Sequence, residues 1–294
     1  MTPGTITAST PQERRFGYLI TILGVLWISP DALMQRLIDD DPVAVIGWRG
    51  ALSMLTLSVY LYWRDRGAMI ERLRAGGWRL IVLSILYATN SGAFVLAIDL
   101  SSVADVLVIL AATPLCAAVL AWFVLREVPD RRTSLAIALG GIGVLIAAAG
   151  GISGGSTLGM ALAVLTTVNL AAQFTMLRRW PQVDNVAAVF VGSFFMGVFG
   201  FTFAEPLAME GMSLFWACVL GLCLTPVAFT LVTVGPRYIG AAEVSLLMLL
   251  ETALGPLWVW LAMGEVPAST ALIGGAVIVL AILVSASSAF GRNA

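Results

Sequence analysis

The sequence predicts an all-α integral membrane protein with ten transmembrane helices in two inverted five-helix repeats and both termini in the cytoplasm. Composition, ten long apolar runs and the placement of the arginines predict this. The chain has 294 residues, of which 60% are hydrophobic and 11% charged. An average soluble domain is about 45–50% apolar and about 25% charged. A chain this apolar could not cover a water-soluble surface, so the sequence favours a membrane protein.

Ten apolar runs are each long enough to cross a bilayer, whose core of about 30 Å needs roughly 20 helical residues. They cover residues 16–36, 43–63, 78–98, 104–125, 133–151, 157–177, 186–204, 212–234, 241–262 and 269–290. Residues 1–15 are polar, and we expect them to form a disordered cytoplasmic N-terminus. The first run could be a signal-peptide core, but no small-residue cleavage site follows it, so we expect it to be retained.

The arginines indicate the orientation, because cytoplasmic loops carry an excess of positive residues. The chain has no lysine, and its arginines fall at alternate loops. With the N-terminus inside, the cytoplasmic side holds Arg14, Arg15, Arg64, Arg66, Arg72, Arg74, Arg79, Arg126, Arg131, Arg132, Arg178, Arg179, Arg237 and Arg292. Arg36 is left on the outer side, and Arg49 lies within the second run. An odd number of spans would destroy this asymmetry.

An internal repeat divides the chain into residues 16–151 and 157–290. Glu-Val-Pro occurs at 127–129 after the fourth run and again, 138 residues later, at 265–267 after the ninth. At the same offset, Ala-Asp-Val at 104–106 matches Ala-Glu-Val at 242–244. Each half has an odd number of spans, so the second half must insert upside down. Inverted repeats are typical of secondary transporters with a binding site at the bilayer midplane.

These features resemble the drug/metabolite transporter superfamily, and within it the EamA-type carriers, over residues 16–290. The resemblance rests on ten short-looped helices, inverted halves and an E-V-P turn before each glycine-rich fifth helix. It implies a bacterial inner-membrane carrier that exports small metabolites, with a central cavity lined by the first four helices of each half. It also implies that the fifth and tenth helices pack peripherally. A row of small residues in the fifth run independently predicts close helix packing: Ala136, Gly140, Gly143, Ala147 and Gly150.

Three runs carry polar and aromatic side chains at helical spacing. Because polar groups are costly in hydrocarbon, such faces should point into the bundle. The candidate substrate-binding residues are Trp27, Tyr87, Asn90, Ser91, Phe94, Asn169, Gln173, Met248, Glu251, Thr252 and Trp258. Thr166 lies on the same face as Asn169 and Gln173. The alternative is that these groups only form hydrogen bonds to neighbouring helices and bind no substrate.

Glu251 is the most informative of these residues, because it lies about midway along the ninth run. A carboxyl there could carry a proton or bind a substrate ammonium group. Arg49 is its obvious cationic partner, but we expect Arg49 to be structural and to snorkel to the interface. Asp31, Asp105 and Glu243 are expected to be solvated or helix-end charges.

Four prolines inside the runs bend their helices and free backbone carbonyls. Pro30, Pro114, Pro226 and Pro256 are therefore hinge candidates, or plain packing kinks.

Composition excludes several chemistries. The chain has no histidine, and Cys116, Cys218 and Cys223 lie apart in apolar runs, so we predict no metal site and no cofactor. Neither a Ser-His pair nor a convincing pair of acids is present, so we predict that the protein is not an enzyme. Net charge is −1 without a basic patch, which argues against nucleic acid as a partner.

The expected partners are the lipid bilayer and a small-molecule substrate. Phosphorylated substrates would need Lys or Arg clamps, so neutral or zwitterionic metabolites are favoured, foremost amino acids with aromatic or bulky apolar side chains. Alternatives are an organic-cation efflux carrier, a lipid flippase and, less favoured, a channel. One chain could enclose the site, so a monomer suffices, and a dimer is left open.

Overall fold

The computed structural model describes residues 10–66, 68–101, 103–148, 156–263 and 269–290. Its helices are α1 (Pro11–Ile28), α2 (Asp31–Arg36), α3 (Pro42–Asp65), α4 (Met69–Leu100), α5 (Val103–Leu110), α6 (Thr113–Leu125), α7 (Arg131–Ala148), α8 (Thr157–Arg179), α9 (Asn185–Phe203), α10 (Gly211–Val219), α11 (Thr225–Val232), α12 (Ala241–Met263) and α13 (Ser269–Phe290). A π-helical segment, Leu220–Leu224, joins α10 to α11.

The all-helical membrane fold predicted from the sequence is confirmed. Within the described residues, eight helical stretches are long and apolar enough to cross a membrane, and Leu272–Ala286 is a shorter apolar helix. Each predicted run coincides with one helix or with one pair of consecutive helices. The count of ten spans and the cytoplasmic position of the termini stay predictions.

The prediction of a disordered N-terminus is wrong for residues 10–15, because α1 begins at Pro11. Thr10 caps this helix: its side chain accepts a hydrogen bond from the backbone N–H of Glu13, and the Glu13 carboxylate accepts one from the N–H of Thr10. This reciprocal capping box, with Pro11 in the first turn, starts the helix before the apolar run begins. Residues 1–9 lie outside the described part of the chain.

Three of the four candidate hinges coincide with irregular helix geometry. The first span breaks between α1 and α2 at Ser29 and Pro30, and Pro114 lies in the first turn of α6 after the α5–α6 break. Pro226 follows the π-helical segment. By contrast, α12 continues through position 256, so a break at Pro256 is not seen. Whether any of these positions moves stays a prediction.

Glycines bring two pairs of helices into backbone contact. A Cβ atom added to Gly200 of α9 would lie 2.2 Å from Cα of Gly47 in α3. A Cβ on Gly143 of α7 would lie 2.8 Å from the carbonyl oxygen of Gly274 in α13. The α7–α13 contact confirms the close packing predicted for the small-residue row. The side chain of Ala147 and all of Gly150 lie outside the described residues.

The helix contacts follow a pattern expected of an internal repeat. Helix α1 packs on α11, and α4 packs on α8; these are the first and eighth spans and the third and sixth. Likewise α6 packs on α8, and α12 packs on α1. Each contact has a counterpart five spans away. The division into repeats 16–151 and 157–290 stays a prediction, which this pattern supports.

One end of the bundle is tied together by arginines. Arg14 forms an ion pair with Glu243 at 2.7 Å, and Tyr18 donates a hydrogen bond to the same carboxylate at 2.6 Å. Arg178 pairs with Glu127 and also donates to the carbonyl of Ile239. Glu243 was expected to be a solvated or helix-end charge. It does lie in the first turn of α12, but it is buried because α1 covers it.

Candidate functional site: a charged cavity inside the bundle

A small cavity of about 30 Å³ lies among the first, second, third, sixth, eighth and ninth spans, with one residue from the fourth. That space has room for about two water molecules, so a metabolite does not fit in this conformation. The cavity is lined by Ile28, Asp31, Arg49, Asn90, Ser91, Phe94, Leu110, Thr166, Leu170, Phe229, Met248 and Glu251. Three ionisable side chains therefore meet inside the bundle, where burying a charged side chain costs more free energy than burying an apolar one.

Asp31 and Arg49 form a buried, two-pronged ion pair in this cavity. The two terminal nitrogens of Arg49 donate to the two oxygens of Asp31 at 3.0 and 2.9 Å. Both side chains are only 2% exposed. The expectation that Arg49 snorkels to the interface is therefore wrong. Asp31 was expected to be a solvated or helix-end charge; it does lie in the first turn of α2, but it is buried against Arg49 and not solvated. The parallel geometry of the pair supplies the attraction that compensates for removing both charges from water.

Local chain geometry explains how the pair forms. The break at Ser29 and Pro30 ends α1 and turns Asp31 into the bundle as the first residue of α2. One turn later, Gln35 donates a hydrogen bond to the Asp31 carboxylate at 3.2 Å. Arg49 reaches Asp31 from α3, the next helix along the chain. The position of each charged side chain thus depends on its partner and on the pairing of α2 with α3.

Glu251 enters the same cavity from α12, with Met248 one turn earlier on the same face. Glu251 is buried, being 7% exposed. The cavity therefore holds two carboxyl groups and one guanidinium. The Nε of Arg49, which the Asp31 pairing does not use, is buried and has no hydrogen-bond partner among the described residues.

Helix α4 contributes Asn90, Ser91 and Phe94 to the cavity, as its polar face predicted. Oδ1 of Asn90 and Oγ of Ser91 are buried and have no hydrogen-bond partner in the described part of the chain. Buried polar atoms are normally satisfied, so such atoms at a cavity wall are available to a ligand or water. Tyr87 lies behind the wall, with its ring edge-to-face against Phe229 at 5.0 Å between centroids.

The structure does not bring all predicted residues to the cavity. Trp27 lies on the outside of the bundle: it is 45% exposed, and its indole donates to the carbonyl of Cys223 at 3.4 Å. Asn169 instead joins α8 to α4 by donating to Thr89 at 2.9 Å, whereas Thr166, one turn earlier on α8, lines the cavity. These two placements contradict the predicted role of both residues as cavity lining.

Three further candidates lie near the cavity without lining it. Gln173 is buried on α8, two turns past Thr166 and about 10 Å along the helix. Thr252 is half-buried beside Glu251. Trp258 donates from its indole to the hydroxyl of Ser29 at 2.8 Å, and so ties α12 to the break in the first span.

Sequence reasoning missed Asp31 and Arg49 as members of the site, although a signal was present. Asp31 lies five residues before the end of the first predicted run, and Arg49 lies six residues after the start of the second. Consecutive spans are antiparallel, so these positions lie at nearly equal depth. Opposite charges at equal depth in neighbouring helices should pair because neither can reach water cheaply.

Comparisons with known proteins show what the chain is similar to. Residues 15–149 match the model of the EamA-like transporter family. The match covers a little less than half of the chain, which is similar to EamA-like transporters over this stretch. A crystal structure of another protein superposes with a TM-score of 0.77 at 18% identity, covering 95% of this chain and 99% of that one. That likeness shows that the two chains share a fold over nearly their whole lengths. No curated protein matches the chain in sequence.

This match confirms the resemblance to the drug/metabolite transporter superfamily over residues 15–149. It indicates a multi-pass membrane transporter. Asp31, Arg49, Asn90, Ser91 and Phe94 all fall within the matched residues.

Proposed function

We propose that the protein is a secondary transporter that exports small zwitterionic or neutral metabolites, foremost amino acids. Its proposed setting is the bacterial inner membrane, with both termini in the cytoplasm. The observation that carries the proposal is the buried cavity that contains charges of both signs together with unpartnered amide and hydroxyl oxygens. Intramembrane charges facing a bundle interior generally mark a substrate or ion pathway.

A zwitterion finds complementary groups in this cavity. The Glu251 carboxylate is suited to a substrate ammonium group, and the unused Nε–H of Arg49 to a substrate carboxylate. Phe94, Phe229 and Met248 offer an apolar wall for a bulky or aromatic side chain. A phosphorylated substrate fits poorly, because the only guanidinium that lines this cavity already binds Asp31 with two hydrogen bonds.

Alternating access is the mechanism proposed for this site. The cavity of about 30 Å³ is too small for an amino acid, so substrate entry requires the lining helices to separate. The breaks at Ser29–Pro30 and between α5 and α6, and the π-helical segment before Pro226, are the proposed points of bending. Rocking of one repeat against the other would expose the site to each side in turn.

Glu251 is also the candidate for proton coupling. A buried carboxyl can exchange its proton for a substrate ammonium, so that binding one releases the other. Such exchange would link export to a proton gradient.

An excess of carboxyl groups favours organic-cation efflux as the second candidate. Asp31 and Glu251 face one guanidinium, so the cavity suits a cation without a carboxylate of its own. A lipid flippase is a third possibility, because an apolar groove of about 530 Å³ opens between α3, α4, α8 and α9. That groove shares no lining residue with the charged cavity, so it offers no headgroup site.

Counterflow into proteoliposomes separates these candidates. Vesicles containing the purified protein are preloaded with one unlabelled compound, and uptake of the same labelled compound is measured with and without a pH gradient. The panel is phenylalanine, leucine, a quaternary ammonium dye and a hexose phosphate. We expect uptake of the amino acids. Uptake of the dye alone would overturn the amino-acid assignment in favour of cation efflux, and silence across the panel with scrambling of a fluorescent lipid would favour the flippase.

A further inference from the structure

A second, larger cavity of about 590 Å³ opens at the arginine-rich end of the bundle. The end of α3, the start of α4, the α8–α9 connection and the end of α11 with the segment after it surround it. It shares no lining residue with the charged cavity in the bundle interior. Nothing in the proposed transport mechanism uses it.

Three arginines line this cavity, and they are partnered unequally. Arg64 pairs with Asp65 at 2.8 Å and also with Asp184. Arg72 approaches the same two carboxylates less closely, at 3.4 and 3.8 Å, and its side chain is 52% exposed. Arg237 binds only neutral acceptors in the contacts described, the carbonyl of Val183 at 2.7 Å and the amide oxygen of Asn185 at 2.9 Å.

The charge balance therefore leaves one positive charge uncompensated. Asp65 and Asp184 are the two carboxylates that pair with the three lining guanidiniums. Arg237 and Arg72 also keep N–H groups that no hydrogen bond in the described residues uses. Guanidinium N–H groups with spare donor capacity are the groups that bind phosphate oxygens most specifically.

Neighbouring aromatic residues place the cavity at the level of the membrane interface. Tyr60 lines it, and Trp63 and Trp78, close by in sequence on either side of the α3–α4 connection, are 80% and 63% exposed. Exposed tryptophan and tyrosine side chains concentrate at the headgroup level of a bilayer. Apolar side chains such as Ile20, Leu231 and Val234 form the remaining wall. The cavity thus combines donors for an anion with a surface for a glycerol backbone.

We propose that this cavity binds a phosphate-bearing anion, and that its position at the interface makes this the headgroup of an anionic phospholipid. Arg72 and Arg237 hold the phosphate oxygens, and Arg64 stays paired with Asp65 and Asp184. Bound there, the headgroup joins the start of α4 to the connection between α11 and α12, which belong to different predicted repeats.

Binding of short-chain lipids to the purified full-length protein in detergent tests the proposal. The probes are dioctanoyl phosphatidylglycerol and the zwitterionic dioctanoyl phosphatidylcholine, with inorganic phosphate as a competitor. The variants are R72Q and R237Q, and R74Q is the matched control, because Arg74 is an exposed arginine of the same short stretch that does not line the cavity. If R237Q fails to fold, R72Q alone decides the question.

We expect phosphatidylglycerol binding to weaken about fivefold or more in R72Q and R237Q, and to stay unchanged in R74Q. Phosphatidylcholine should bind no better to wild type than to the variants. Competition by inorganic phosphate would confirm the phosphate site and assign it to a soluble anion, whereas absence of competition would assign it to the lipid. Equal binding of both lipids, or an equal loss in R74Q, would overturn the proposal.

Discussion

At the scale of single residues, the Asp31–Arg49 pair shows why charge can be kept inside an apolar bundle. Neither side chain reaches water, and each satisfies the other through two hydrogen bonds. A buried pair of this kind adds little net stability compared with apolar residues of similar volume. Removing one member, however, leaves the other charge without compensation. Removing one member of the pair should therefore lower the free energy of unfolding more than replacing both members with apolar residues.

Asp31→Asn is expected to lower the free energy of unfolding by about 3–5 kcal/mol, because Arg49 would remain buried and charged without its partner. The measurement is the melting temperature of the purified protein in detergent, together with the yield of monodisperse protein.

The double variant Asp31→Leu/Arg49→Met is the control for this prediction. It removes both charges, so we expect it to melt near wild type but to lose transport, since the cavity would lack its guanidinium. A double variant that is stable and still transports would show that the pair is only structural.

At the scale of helices, glycine contacts set how closely the bundle packs. Gly47 and Gly50 of α3 meet Gly200 and Gly197 of α9 backbone to backbone. Without a hydrophobic driving force between helices in lipid, such close contact is a main source of helix association. This makes α3 and α9 a fixed unit beside the cavity.

Gly200→Ala is expected to destabilise the protein, by about 1–3 kcal/mol, because the new methyl group would overlap the backbone of Gly47. The matched control is Gly141→Ala in α7, where an added Cβ meets nothing within 4 Å. Thermal melts of both variants provide the comparison. Equal melting temperatures for the two would contradict the close approach of α3 and α9.

At the scale of the whole molecule, apolar runs were sufficient to predict the helical fold and the approximate limits of its helices. Whether a segment is apolar enough to span a membrane depends on its own residues, so the sequence shows it directly. The polar face of α4 was also readable, because Asn90, Ser91 and Phe94 follow the helical repeat.

Contacts between helices were harder to predict from the same sequence. Trp27 and Asn169 are residue types that often line a binding site, but their side chains point elsewhere. The rotation of a helix about its own axis is set by the helices that pack against it, which the sequence of that helix does not show. Considered separately, Asp31 and Arg49 resemble charges at the membrane interface. Only their nearly equal depth in adjacent spans indicates that they pair. The capping box at Thr10 and Glu13 was visible in sequence but was outweighed by the polar composition around it.

The central claim is that the charged cavity in the bundle interior is the substrate site of a transporter. Its most direct test is amino-acid counterflow in proteoliposomes by wild type, Glu251→Gln and Glu205→Gln, the last being an exposed carboxyl outside the cavity. We predict that Glu251→Gln lowers the exchange rate at least tenfold, whereas Glu205→Gln exchanges at the wild-type rate. Wild-type exchange by a folded Glu251→Gln variant would contradict the claim.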